Sequence, residues 1–116
     1  MIELTNLTNE AKQSMILVGT NNEQIPFDLT YFPTQQLWSF NISYLDFEAK
    51  GITLVCAPNI LYKFKNLLPF GIGVISTDGG DPYYIDDFIV KRIRIFLLDE
   101  TDLENLNPLH EGTYEA

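Results

Sequence analysis

A chain of 116 residues with 46% hydrophobic content and a net charge of -9 has enough apolar mass for one buried core, and too much for a disordered polyelectrolyte. Sixteen acids against seven bases argue against a nucleic-acid partner held through its phosphates, which requires clustered Lys and Arg to replace counterions. No apolar run approaches the roughly 20 residues of a membrane span, and Met1 to Glu10 lacks the basic start and hydrophobic stretch of a signal peptide, so a soluble, unexported protein with no membrane partner is expected.

In chain order, Gln13 to Val18 ends in the continuous apolar run Met15-Ile16-Leu17-Val18 and meets the turn-rich Gly19-Thr20-Asn21-Asn22, which predicts a first strand and a reversal. The second strand is expected over Ile25 to Tyr31, where Phe27, Leu29 and Tyr31 alternate with Pro26, Asp28 and Thr30. Leu37 to Tyr44 places Trp38, Phe40, Ile42 and Tyr44 on one side and small polar residues on the other, the period of a half-buried strand. With Phe32 to Gln36 between them, these two segments predict a hairpin with one aromatic-rich face, and Trp38 and Phe40 are assigned to the core.

Asp46 to Gly51 reads as a polar reversal leading into a fourth strand over Ile52 to Val55. Asn59 to Leu68, bounded by Pro58 and Pro69, fits either a short helix or a strand. Gly71 to Ser76 is β-branched and strand-like, and its two glycines mark a bulge or the close approach of another backbone. Thr77 to Asp87 is a long turn-rich connection. Strict alternation then resumes over Phe88 to Leu98, with Ile93, Ile95 and Leu97 as the core face and Arg92 and Arg94 sharing the other. The expected fold is all-β: a single domain over 1-105 of about seven mostly antiparallel strands, a small barrel or a two-sheet sandwich, with an acidic tail over 106-116 ordered by a partner or loosely held.

Asp78-Gly79-Gly80-Asp81 with Asp86 and Asp87 has the oxygen density of a cation loop but lacks the acid spacing and closing Glu of a calcium site, so a surface turn is preferred and no metal or cofactor is assigned. His110 is the single histidine, with no second His or Cys to complete a zinc set, and there is no Gly-x-Ser-x-Gly elbow for a hydrolase triad. Gly71-x-Gly73 lacks the third glycine of a dinucleotide turn. Cys56 has no internal disulfide partner and follows an apolar run, as a small buried hydrophobe would. No catalytic residue is assigned.

The binding candidates are Tyr83 and Tyr84, a loop pair able to face a partner, and Arg92 and Arg94 from the one basic cluster. Tyr31, Phe32, Trp38 and Tyr44 join the two loop tyrosines as the aromatics of a possible sugar platform, which keeps a carbohydrate-binding β-sandwich as the alternative reading.

The order of segments from about Lys12 to Asn105 resembles the plug proteins of simple contractile-tail phage baseplates, a cyanophage-type family. The resemblance rests on Phe27-x-Leu29-x-Tyr31, a short gap, Trp38-x-Phe40-x-Ile42, then Gly51-Ile52-Thr53-Leu54-Val55, a leucine-rich stretch and the late Arg94-Ile95-Phe96-Leu97. It implies a non-enzymatic virion protein at the centre of the tail baseplate, oligomeric in the assembled tail. Its partners would be the baseplate hub, tail tube and spike proteins, with which it closes the tail channel.

Overall fold

A computed structural model describes residues 1–19, 22–64 and 67–104. The described residues form seven strands: β1 (Ile2–Glu3), β2 (Lys12–Val18), β3 (Gln24–Phe32), β4 (Leu37–Tyr44), β5 (Phe47–Thr53), β6 (Gly71–Ser76) and β7 (Ile93–Leu98). They make two antiparallel sheets, a four-stranded meander in the order β2-β3-β4-β5 and a three-stranded sheet in the order β1-β7-β6. The fold is therefore all-β, in two sheets whose inner faces share one apolar core.

Period-two patterning builds that core directly. The register sets Phe27 opposite Ile42, Leu29 opposite Phe40 and Tyr31 opposite Trp38, so the aromatic faces of β3 and β4 coincide. Trp38 and Phe40 are buried, as assigned from sequence. From the other sheet Ile72, Val74, Ile93, Ile95 and Leu97 complete the core, so the expected inner face of β7 is observed. Burying this many large apolar side chains, each contributing on the order of 1.5–3 kcal/mol, is what offsets the entropy of ordering the chain.

Three expectations require correction. First, the predicted reversal over Asp46 to Gly51 is mostly strand: β4 and β5 pair from Tyr44 opposite Phe47, so the turn is Leu45-Asp46 alone. A bulge between Phe40 and Ile42 shifts the phase of β5, and Gly51, at φ 67°, takes the left-handed conformation there while its N–H donates to Asn41 Oδ1 at 2.8 Å. Second, Phe88 to Arg92 is not part of the last strand but a run of turns, with Lys91 at φ 62° reversing the chain before β7. Third, a strand the sequence did not suggest, β1, pairs with β7 at the far end of the chain. In the ambiguous Asn59 to Leu68 segment the described residues include a 3-10 turn, Tyr62–Phe64.

Of the two glycines of β6, Gly73 marks close backbone approach, whereas Gly71 makes room for the Asn59 and Leu103 side chains. Ala57 and Val74 form an antiparallel bridge, Ile60 N–H donates to Ile72 O at 2.7 Å, and a Cβ on Gly73 would stand 3.0 Å from the Pro58 carbonyl. After β7, Asp99 caps a helical turn over 100–104: the Asp102 N–H donates to Asp99 Oδ1 at 2.8 Å and the Asp99 N–H to Asp102 Oδ2 at 3.2 Å, a reciprocal capping box. The acidic tail over 106-116 and His110 lie outside the described residues.

Candidate functional site

The structure brings three of the four candidate residues together. Tyr83 and Tyr84 stack with ring centroids 4.3 Å apart, and the Arg92 guanidinium lies over the Tyr83 ring at 4.5 Å. Arg94 stands apart, on the exposed side of β7, where it forks onto both oxygens of Glu3 at 2.6 and 3.1 Å. Because Arg92 precedes the strand, the two arginines do not share a strand face, contrary to the alternation read through Phe88 to Leu98.

Asp87, which is fully buried, organises the cluster. Its Oδ2 accepts the Tyr83 and Tyr84 N–H groups, both at 2.8 Å, and lies 3.1 Å from Arg92 Nη1. Arg92 Nε also donates to Asp78 Oδ2 at 2.9 Å and Arg92 Nη2 to the Asp81 carbonyl at 3.1 Å. Sequence reasoning set Asp87 among surface turn acids. The available signal was its position between Ile85 and Phe88-Ile89-Val90, since an acid inside an apolar stretch needs a buried cation, and Arg92 is five residues on.

Asp87 thereby fixes two carbonyls that the meander uses. The Trp38 indole Nε1 donates to Tyr84 O at 3.0 Å and the Tyr31 hydroxyl to Tyr83 O at 2.8 Å. Tyr31, Trp38 and Phe88 stack in series at 5.1 and 4.8 Å, so the polar tips of the aromatic face hold the 77–92 connection against β3 and β4. Trp38 and Tyr31 thus act as anchors for the loop.

The cluster is ion-paired at its centre, with Asp87 Oδ1 and Arg92 Nη1 buried and without a hydrogen-bond partner among the described residues. The Arg92 guanidinium, followed by the Gly80 N–H and the Ser76 hydroxyl, holds the Asp78 carboxyl far below its ordinary range, and Asp78 in turn raises the already high pKa of Arg92. Of the four carboxylates that resembled a cation loop, Asp78 and Asp87 are committed to Arg92, Asp81 Oδ1 accepts the Cys56 N–H at 2.9 Å and Asp86 Oδ1 accepts from Asn9 Nδ2 at 3.2 Å, and among the described residues no group of three or more His, Cys, Asp or Glu converges to hold a metal ion. The Cys56 thiol is half-buried, and burial with the nearby Asp81 charge pushes its pKa up, away from the thiolate a nucleophile requires.

The molecule also presents apolar surface. Ile89, Val90, Tyr83 and Tyr84 are exposed along the 77–92 connection. On the outer face of the three-stranded sheet an open groove of about 610 Å³ is lined chiefly by Met1, Cys56, Pro58, Ile75, Phe96 and Leu98. The helical turn borders it: Asp102 forms an ion pair with the Met1 ammonium at 2.8 Å, and Leu103 packs over Gly71, where a Cβ would come within 2.8 Å. No protein-family model matches the chain, and no curated protein sequence matches it.

Proposed function

We propose that this protein is a non-enzymatic structural part of a contractile phage tail baseplate, a plug that sits with hub, tube and spike proteins and acts by surface complementarity. The observation that carries the reading is the division of the surface: the carboxylates and guanidinium that might have done chemistry are spent on one another, while apolar groups are left facing outward. Asp78 and Asp87 are held by Arg92 and Glu3 by Arg94, whereas Ile89, Val90, Tyr84 and the groove on the outer sheet face have no cover among the described residues. Interfaces are built from such apolar and aromatic centres rimmed by charge. The sequence patterns of the resemblance coincide with β3, β4, β7 and the end of β5.

The test is assembly with purified components. Mixed with a baseplate hub and tail tube, the full chain is expected to co-migrate with the hub and to lose that association when Tyr84 and Val90 are both changed to Asp. Saturable binding to a glycan array without hub association would instead favour the carbohydrate-binding alternative.

A further inference from the structure

Each sheet has two edges, and native proteins protect such edges because an unpaired row of N–H and C=O groups templates another strand. Three of the four edges here are protected. β1 is only two residues long; β6 is covered by Ala57 and Ile60; β5 carries a bulge and the Lys50–Glu48 ion pair at 3.0 Å. β2 has none of these devices. It runs for seven residues, uncharged from Gln13 to Val18, and exposes Ile16 at 62% and Val18 at 55%.

The polarity of the ladder shows which groups are unpaired. The Tyr31 N–H donates to Ala11 O and the Gly19 N–H to Glu23 O, so odd-numbered residues of this strand direct their backbone groups at β3. Pro26, which has no N–H, accordingly sits opposite Ile16 at a position making no ladder bond. The backbone groups of Lys12, Ser14, Ile16 and Val18 therefore point away from the sheet, and among the described residues no backbone group pairs with them.

We propose that β2 pairs antiparallel with β2 of a second copy, about a two-fold axis through Met15, to make one continuous eight-stranded sheet from two four-stranded ones. This inference goes beyond the baseplate reading and does not rest on it. In that register Lys12 meets Val18 of the second copy and Ser14 meets its Ile16, so every outward-facing residue of one edge meets an outward-facing residue of the other. No charge lies between Gln13 and Val18 to oppose the seam. Ile16 and Ile16 of the second copy lie diagonally across the axis, and the stem of Lys12 covers Val18 of the second copy.

Charge selects a second copy as the occupant. The Glu23 carboxylate lies against Gly19, immediately past the end of β2, and Lys12, at the other end, forms no ion pair with a described residue. Antiparallel self-pairing brings each Lys12, beside its own Glu10, to the Glu23 of the other copy, twice over by symmetry. Such pairing closes on itself and leaves no free β2 edge.

Light scattering coupled to gel filtration, with sedimentation equilibrium on the full chain, tests this directly. A dimer is expected, converted to monomer by Ile16→Lys and, independently, by Ser14→Glu; both side chains point to solvent, and circular dichroism checks that each variant remains folded. Lys12→Glu should weaken the dimer about ten-fold, two exposed ion pairs becoming like-charge contacts, and the double variant Lys12→Glu with Glu23→Lys should restore it. A wild-type chain that stays monomeric up to about 1 mM, a dimer indifferent to both edge variants, an open series of larger species, or a failure of the charge swap to rescue would each overturn the proposal.

Discussion

Arg92 and Arg94 are two residues apart, and each holds a carboxylate through its Nε, at 2.9 and 3.1 Å. Their surroundings make them different objects. The Arg92 side chain is 13% exposed and touches a wholly buried Asp87, a tyrosine ring and a carbonyl; the Arg94 side chain is 44% exposed and grips a Glu3 at the rim of the sheet. A buried charge whose partner is removed has nowhere to be solvated, whereas an exposed one turns to water. Equal geometry therefore carries unequal consequence, and the buried cluster is the one that ties the 77–92 connection to the aromatic face.

The largest effects should come from the members of the buried cluster that the meander depends on. Asp87→Ala leaves Arg92 facing a void and frees two backbone donors, and it should cost about 3–5 kcal/mol in urea unfolding. Trp38→Ala, which opens a cavity beside Phe88 and releases the Tyr84 carbonyl, should cost a similar amount, roughly 3–5 kcal/mol. A Trp38→Ala variant that stayed fully stable would remove the anchoring role assigned to the aromatic face. Trp38→Phe separates the two losses, keeping most of the ring stack while deleting the indole donor, for about 1–3 kcal/mol.

At the rim, Arg94→Ala should leave the urea unfolding midpoint nearly unchanged, since both exposed partners turn to water. A double-mutant cycle sharpens the contrast: Asp87 and Arg92 should couple by about 1–3 kcal/mol, Glu3 and Arg94 far more weakly. If the two couplings came out equal, burial would not be what distinguishes the arginines.

The smallest effect is a pH slope. The Asp78 carboxyl is held below its ordinary value of 3.8 by Arg92, so it binds its proton less readily folded than unfolded. Its contribution is therefore complete above the unfolded value and is lost as pH falls through and below it. Stability measured by urea titration below about pH 4 should decline less steeply in Asp78→Asn than in the wild type.

Strands whose two faces differ in polarity were legible in the sequence: β4 is observed with the bounds Leu37–Tyr44 that alternation predicts and β3 is one residue longer at each end, while β2, legible as a continuous apolar run, starts one residue earlier. β5 was hidden because its exposed edge is polar and the bulge at Gly51 breaks the period, so a solvated strand resembles a turn. The false extension of β7 has the opposite cause. Phe88 to Arg92 alternates by chance, but the Ile93 N–H donates to the Asp87 carbonyl at 3.1 Å and Lys91 takes a left-handed conformation, neither of which leaves a hydropathy signal. The same holds for the cluster: Tyr83, Tyr84 and Arg92 were named from sequence, but the buried carboxylate joining them was read as surface because a turn and a keystone can share a composition. β1 could not be found locally, since two residues carry no period and its partner lies at the opposite end of the chain.

That end-to-end pairing has a kinetic consequence. The meander from Lys12 to Thr53 is assembled entirely from sequential hairpins, which need only short loops to close, whereas Glu3 and Arg94 are 91 residues apart and the three-stranded sheet cannot form until Leu98 is available. During synthesis the first sheet can therefore gain its hydrogen bonds while its inner face still lacks a cover, and pulse-labelled amides of β3 and β4 should be protected before those of β7. The apolar face of the meander is then exposed to the cell for the time it takes to make residues 54–98.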